Sequence, residues 1–251
     1  MDRDRLRALN MLPPATQDRE IASQFRAIKR PLLRQLAAAE ASDAAAHRHL
    51  MVTSALPGDG KTFTSLNLAL SLALEMDFTT LLVDADVPKP HLTHTFGLQK
   101  EPGLLDVLAD PARRVEDVIL ATDVPRLHLL PAGTHSETAS ELLASARMAE
   151  VVAHLGALYR RGIVLFDSPP VLLTTESRAL GAMLGQIVLI VRAGVTPQQA
   201  AKDAIRILGE GARINLVLNG AELEGPIGYY YGYRYGHELQ PGSPAPPAKS
   251  E

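Results

Sequence analysis

The sequence predicts an α/β fold built on a doubly wound, mostly parallel β-sheet. Three observations carry that prediction. Apolar runs of strand length recur without polar interruption, as in GIVLFD (162–167) and QIVLIVR (186–192). Segments of helical character separate them, and strand–helix alternation is how a parallel sheet covers both of its faces. A glycine-rich stretch joins the first strand to the next helix, the position at which such sheets bind phosphate. With 251 residues and 46% hydrophobic side chains, the chain has material for one substantial core.

Taken in order, residues 1–17 are charged and proline-containing and are expected to be flexible. From Asp18 to about Ala39, Ile21, Phe25, Ile28, Leu32 and Leu36 recur at helical spacing, giving a helix available for self-association. Pro31 lies inside it and removes the bond to the Ala27 carbonyl, so a kink or break is expected there. Leu50–Ser54 reads as a buried strand, followed by the glycine-rich loop and an apolar helix from Lys61 to about Met76. Thr80–Asp84 and Leu127–Leu130 are the next strands. Thr138 and Glu141 have capping-box spacing, which opens a helix running to about Tyr159. Gly162–Asp167 and Gln186–Arg192 are strands. Thr196 followed by Pro197 reads as a helix start, with the helix reaching about Leu208. Ile214–Leu218 closes the series. The main domain is expected over 18–225. Residues 226–251 form a tail, tyrosine-rich and then, from Gln240 onward, proline-rich and without a packed core.

Composition narrows the chemistry. A net charge of −3 argues against a general nucleic-acid binder. The absence of cysteine removes disulfides, thiolate zinc sites and a cysteine nucleophile, and it fits a cytoplasmic chain. The charged start MDRDRLRALN lacks the apolar region of a signal peptide. The longest apolar stretch, NLALSLALEMDFTTLLV, is interrupted by Glu75 and Asp77 and does not read as a membrane span.

The stretch SALPGDGKT (54–62) carries the first functional signal. It keeps Gly60-Lys61-Thr62 of the Walker A pattern, with Ala55 at the first glycine position. Gly58 and Gly60 permit backbone conformations that let successive N–H groups converge on an anion, and the helix N-terminus adds its partial positive charge. In this pattern Lys61 reaches the β- and γ-phosphates and the Thr62 hydroxyl ligates Mg²⁺. The nucleotide-binding segment is thus Pro57, Gly58, Asp59, Gly60, Lys61, Thr62 and Phe63. Asp84 and Asp86 follow the second strand, and Asp167 ends GIVLFD. The carboxyl ends of such strands face the ligand crevice, where an aspartate binds Mg²⁺ or takes a proton from an attacking hydroxyl. A lone aspartate after a strand is more often a cap or turn residue; three of them around a phosphate loop reverse that reading. His91 and His94 have the spacing of half a zinc site but read better as solvated or capping residues, since a third ligand is missing.

Together these motifs resemble the bacterial tyrosine autokinases of capsule and exopolysaccharide systems, closest to the stand-alone type found with exosortase-linked polysaccharide clusters. The resemblance runs from about residue 20 to 236. It rests on SALPGDGKT; LLVDADVPKP with His91 and Phe96; VLFDSPPVL; TASELLASARM; VRAGVT; and a tail in which Tyr229, Tyr230, Tyr231, Tyr233 and Tyr235 are five of the chain's six tyrosines. It implies a P-loop NTPase fold of the partition-ATPase-like branch, with ATP and Mg²⁺ as cofactors. It also implies transfer of the γ-phosphoryl group to the tail tyrosines, often those of a neighbouring subunit. Carried over by motif, Asp84 is the general base, Asp86 and Asp167 hold Mg²⁺ or its waters together with Thr62, and Asn219 contacts adenine, although it reads equally as a turn residue. Arg192 is a weaker site candidate. The partners implied are a second copy of the chain, a membrane polysaccharide co-polymerase or chain-length protein that recruits it to the inner membrane and activates it, and a phosphotyrosine phosphatase.

Two departures stand out. The family's Glu-x-x-Arg-x-x-Arg assembly motif appears here as Ser23, Arg26 and Lys29, without its glutamate, and Pro88 replaces the arginine usual after Asp-x-Asp-x. One rival reading is a partition or septum-site ATPase switch. Those proteins carry an extra lysine where this chain has Leu56, and usually lack a tyrosine tail. The other is a nucleotide-binding scaffold of polysaccharide export that does not phosphorylate.

Overall fold

The computed structural model describes residues 1–40, 48–184, 186–209 and 211–221. The tail tyrosines lie outside these residues, and Met1–Gly220 form one compact unit. In chain order the elements are α1 (Arg3–Ala8), α2 (Asp18–Glu40), β1 (His49–Ser54), α3 (Lys61–Leu72), β2 (Thr79–Asp84), α4 (His91–Phe96), α5 (Leu104–Ala109), β3 (Leu120–Ala121), β4 (Leu127–Leu130), α6 (Ala139–Leu143), α7 (Ala146–Leu158), β5 (Gly162–Asp167), α8 (Glu176–Met183), β6 (Gln186–Arg192), α9 (Gln198–Leu208) and β7 (Arg213–Asn219).

The sheet has the order β3-β4-β2-β5-β1-β6-β7. Every pair is parallel except β3 with β4, a two-residue antiparallel edge. The expected mostly parallel sheet is therefore present, and the strands β2, β5 and β1 lie side by side. Their apolar runs are explained by cover on both faces. Met51, Leu81, Val83, Val164, Phe166 and Ile187 pack toward α5, α7 and α8. The alternate positions Leu50, Val52, Leu82, Ile163, Leu165 and Val188 pack toward α2 and α3. Side chains alternate across a strand, so a strand covered on both faces has no polar side to show.

α2 buries Phe25, Leu32 and Leu36 against α3. It continues through Pro31, so the expected break does not occur. Contacts hold the helix before and after Pro31: Phe25 meets Phe63 at a ring-centroid distance of 6.2 Å, the buried Lys29 donates to the Ser71 carbonyl at 2.7 Å and pairs with Glu75 at 2.6 Å, and beyond the proline Leu32 and Leu36 are buried. Residues 1–17, expected to be loose, contain α1, with Asp2 accepting from the Arg5 N–H at its start. Leu6, Met11 and Leu12 are buried, and the Asn67 amide of α3 donates to the Met11 carbonyl at 2.9 Å. One buried residue in a six-residue helix leaves no periodicity to read.

Two cap assignments also change. Thr138 makes no capping bond, and the helix expected from it is divided. α6 ends at Leu143, and Ser145 caps α7 by accepting from the Met148 N–H. At α9, Pro197 and not Thr196 is the cap residue, which leaves the Thr196 hydroxyl available elsewhere.

Lys29→Met removes the buried donor to Ser71 and the partner of Glu75. An orphaned buried carbonyl costs about 1–3 kcal/mol, so thermal unfolding should shift downward by about 2–4 °C per kcal/mol lost.

Candidate active site

The loop between β1 and α3 has the geometry its glycines imply. Gly58 has φ +84° and Gly60 φ +96°, both in the left-handed region. That conformation favours glycine at Gly60, where an added Cβ would also lie 2.1 Å from the Asn219 amide nitrogen and displace that side chain. Pro57 and Gly58 are exposed, whereas Asp59, Lys61 and Thr62 are buried. α3 starts at Lys61 and points its N-terminal amides toward the loop, which makes the loop a place for an anion. Phe63 lies behind it, partly buried against α2. Asn219, at the end of β7, donates its amide to the Asp59 carbonyl at 2.8 Å, and Arg192 reaches the Gly58 carbonyl at 3.3 Å.

Beside the loop the sheet brings three acids together. Asp84 and Asp167 end adjacent strands and are partners in register. Asp86 follows two residues after β2 and pairs with the Lys61 ammonium at 2.5 Å. All three carboxylates are at most 3% exposed. Burial works against the Lys61 ammonium, but Asp167, Asp86 and Asp84 around it hold its pKa above the ordinary lysine value. A single buried cation thus offsets part of the charge of three buried acids.

The two strand-end aspartates are pushed the other way. Burial, reinforced by the nearby Asp167 charge, raises Asp84 to about 7, against two hydrogen bonds from Thr93 that lower it. Burial raises Asp167 to about 6, against Lys61 and Ser65. Asp84 Oδ2 accepts from both the N–H and the hydroxyl of Thr93 at 2.7 Å. Asp167 Oδ1 accepts from Ser65 at 2.9 Å. The other oxygens, Asp84 Oδ1 and Asp167 Oδ2, are buried and make no hydrogen bond. Buried carboxylate oxygens without donors are what a hard cation takes. Among the described residues no ready-made group of three His, Asp or Glu ligands encloses a metal position. The Thr62 hydroxyl lies within 3.4 Å of Lys61 Nζ, on the same side of the loop.

The structure therefore brings Lys61, Thr62, Asp84, Asp86 and Asp167 into one buried site, and sets Asn219 against the loop that borders it. His91 is exposed at the start of α4, its pKa lowered by partial burial and by Lys61; no zinc cluster forms among the described residues. Two residues of the site escaped the sequence reading. Ser65 lies one turn beyond Lys61 on α3, so its helical spacing was a usable signal. Thr93 sits in HLTHTF between His91 and His94, but nothing in the sequence indicates that its backbone and side chain both turn to Asp84.

The model of the AAA domain family matches residues 48–205. EpsB of Ralstonia nicotianae is 36% identical over 74% of this chain, and the chain spans about a quarter of that protein's length, 24%. The tyrosine-protein kinase YwqD of Bacillus subtilis is 32% identical over 74% of this chain and 78% of its own length. Among solved structures, the VpsO kinase domain superposes with a TM-score of 0.62 at 33% identity, covering 76% of this chain and 97% of that one. The septum site-determining protein MinD of Pyrococcus horikoshii, complexed with Mg-ADP, shares the fold alone, with a TM-score of 0.59 at 23% identity over 72% of this chain and 75% of that one. The match to YwqD across most of both sequences makes this chain a member of the bacterial tyrosine-protein kinase family.

Proposed function

We propose that this chain is an ATP-dependent protein-tyrosine autokinase of an exopolysaccharide system, whose substrate is the tyrosine cluster Tyr229, Tyr230, Tyr231, Tyr233 and Tyr235 of its own or a second copy's tail. The observation that supports it most is the convergence of Lys61, Thr62, Asp84, Asp86 and Asp167 beside a glycine loop, with two buried carboxylate oxygens lacking a donor.

In this reading the loop amides and Lys61 hold the phosphates of ATP. Thr62, Asp86 and Asp167 would hold Mg²⁺, which when bound neutralises charge on the phosphates. A phenol loses its proton near pH 10, so its attack needs a base. Asp84 is that base: Thr93 fixes one oxygen and leaves the other open to accept the proton. The phenolic oxygen bonds to the γ-phosphorus, the bond from that phosphorus to the β–γ bridging oxygen breaks, and ADP leaves. Most of the rate comes from positioning and electrostatics.

Each phosphotyrosine adds about −1.5 to −2 charges. Five in seven positions repel one another and the acidic site, which ends the modification and loosens self-association. Among the described residues no helix is long and apolar enough to cross a membrane. We assign the chain to the cytoplasmic face of the inner membrane, recruited there by a polysaccharide co-polymerase, with a phosphatase resetting the tail. A switch ATPase is the less favoured reading: Leu56 occupies the place of that group's extra lysine, and it packs in the apolar cluster of Ala55 and Val171.

Incubation of the purified chain with ATP and Mg²⁺, followed by mass spectrometry, should find phosphate on Tyr229–Tyr235. Lys61→Met should abolish it, and Asp84→Asn should slow it by about 10²- to 10⁴-fold; phosphate on the tail of Lys61→Met at the wild-type rate overturns the proposal. The acids also set a pH dependence in the nucleotide-free chain. Asp84 and Asp167 have folded values of about 7 and about 6, above their unfolded ones, so each binds a proton that the unfolded chain releases. Their stabilising contribution is fully present below the ordinary aspartate value of about 4 and is lost progressively as pH rises to about 6 for Asp167 and about 7 for Asp84. The temperature of thermal unfolding should therefore fall as pH rises across that window, and Asp84→Asn should flatten the slope.

A further inference from the structure

An acidic side chain inside a phosphate loop is an electrostatic anomaly. Asp59 sits between Gly58 and Gly60, where a free carboxylate would oppose the anion that the loop attracts. The structure shows where that charge goes. Asp59 is 2% exposed, and each of its oxygens has a donor. Oδ1 accepts from the Thr196 hydroxyl at 2.6 Å, and Oδ2 accepts from the Leu56 N–H at 3.1 Å. Thr196 lies 137 residues further along, between β6 and α9. Its oxygen also accepts from the Arg192 N–H at 2.9 Å, so the hydroxyl both donates and accepts and has one defined orientation. Asn219 adds a hold on the Asp59 backbone, and occupies the space that a side chain at Gly60 would need.

We propose that Thr196 is a positioning residue for the phosphate loop: its hydroxyl fixes the Asp59 carboxylate on the β6–α9 side, leaving the loop's amides and Lys61 to meet an anion. This rests on the reading that the loop binds nucleotide phosphates. Without the Thr196 hydroxyl, Asp59 Oδ1 is a buried anionic atom with no side-chain donor, and such a group turns to water or to another donor. Pro57 and Gly58, next to it on the loop, are exposed.

The test is calorimetric titration of ADP with Mg²⁺ into the full chain and its variants, with thermal unfolding recorded alongside. Thr196→Val is expected to weaken ADP binding about tenfold. Thr196→Ser, which keeps the donor, should stay within about twofold of wild type. Thr196→Val with Asp59→Asn should recover most of the loss, because the amide carries no charge; damage to packing would not be recovered this way. Wild-type affinity in Thr196→Val, or no recovery in the double variant, overturns the proposal. If Thr196→Val fails to fold, Thr196→Ala takes its place: a loss of about tenfold in ADP binding that Asp59→Asn then largely recovers supports the proposal, and wild-type affinity or no recovery refutes it. Absence of ADP binding in the wild-type chain, or equal binding by Lys61→Met, would instead strike the phosphate-loop reading.

Discussion

The site depends on a single ammonium held among three buried carboxylates. Lys61 is carried by the first residue of α3, and the acids by the ends of β2 and β5 and the turn after β2. None of the four charges would be stable there alone, since a buried ion without a partner costs several kcal/mol. Strand order makes the gathering possible. β5 lies between β1 and β2, so the phosphate loop and both strand-end aspartates meet at the carboxyl ends of the sheet's central strands. The arrangement is under-compensated: one cation faces three acids, part of the excess is met by raised carboxylate pKa values, and two carboxylate oxygens are left without donors. A site in that condition has free energy to gain from binding a cation and phosphates together.

Around this centre the molecule is built in layers of support. Thr93 fixes Asp84 from α4 and is itself tied to the next strand's end, because the Ala132 N–H donates to its hydroxyl at 3.0 Å. Ser65 fixes Asp167 from α3. Thr53 in β1 donates to the Pro169 carbonyl at 2.7 Å, fastening the segment that follows Asp167. These bonds leave one oxygen of each strand-end aspartate directed by the fold and not by solvent, which is the condition for an acid to act as base or ligand in a defined direction.

Much of this was legible in the sequence because the fold class has a loud signature. The runs GIVLFD and QIVLIVR needed no refinement, and six of the seven strands were read to within about a residue or two at each end. The loop and the three aspartates were legible for the same reason: their positions relative to strands fix where they point. Local details failed where two residues competed for one job. Thr138 has capping-box spacing, yet Ser145 caps the longer helix; Thr196 looks like a cap, yet its hydroxyl serves Asp59. Pro31 removes one helical bond, but burial of Phe25, Leu32 and Leu36 outweighs it, each fully buried side chain being worth about 1.5–3 kcal/mol. The edge β3, with two residues, and α1, with one buried side chain, are too short to carry a period. The tyrosine cluster, which the sequence displays most plainly, lies outside the described residues.

The central claim is that the buried acids hold a metal together with the phosphates that the loop binds. It is tested most directly by titrating ADP into the protein with and without Mg²⁺, in the wild type and in a chain carrying Asp86→Asn and Asp167→Asn. The account predicts that Mg²⁺ tightens ADP binding by about tenfold or more in the wild type, and by less than about twofold in the double variant. Equal tightening in both, or ADP binding indifferent to Mg²⁺ in the wild type, would contradict it.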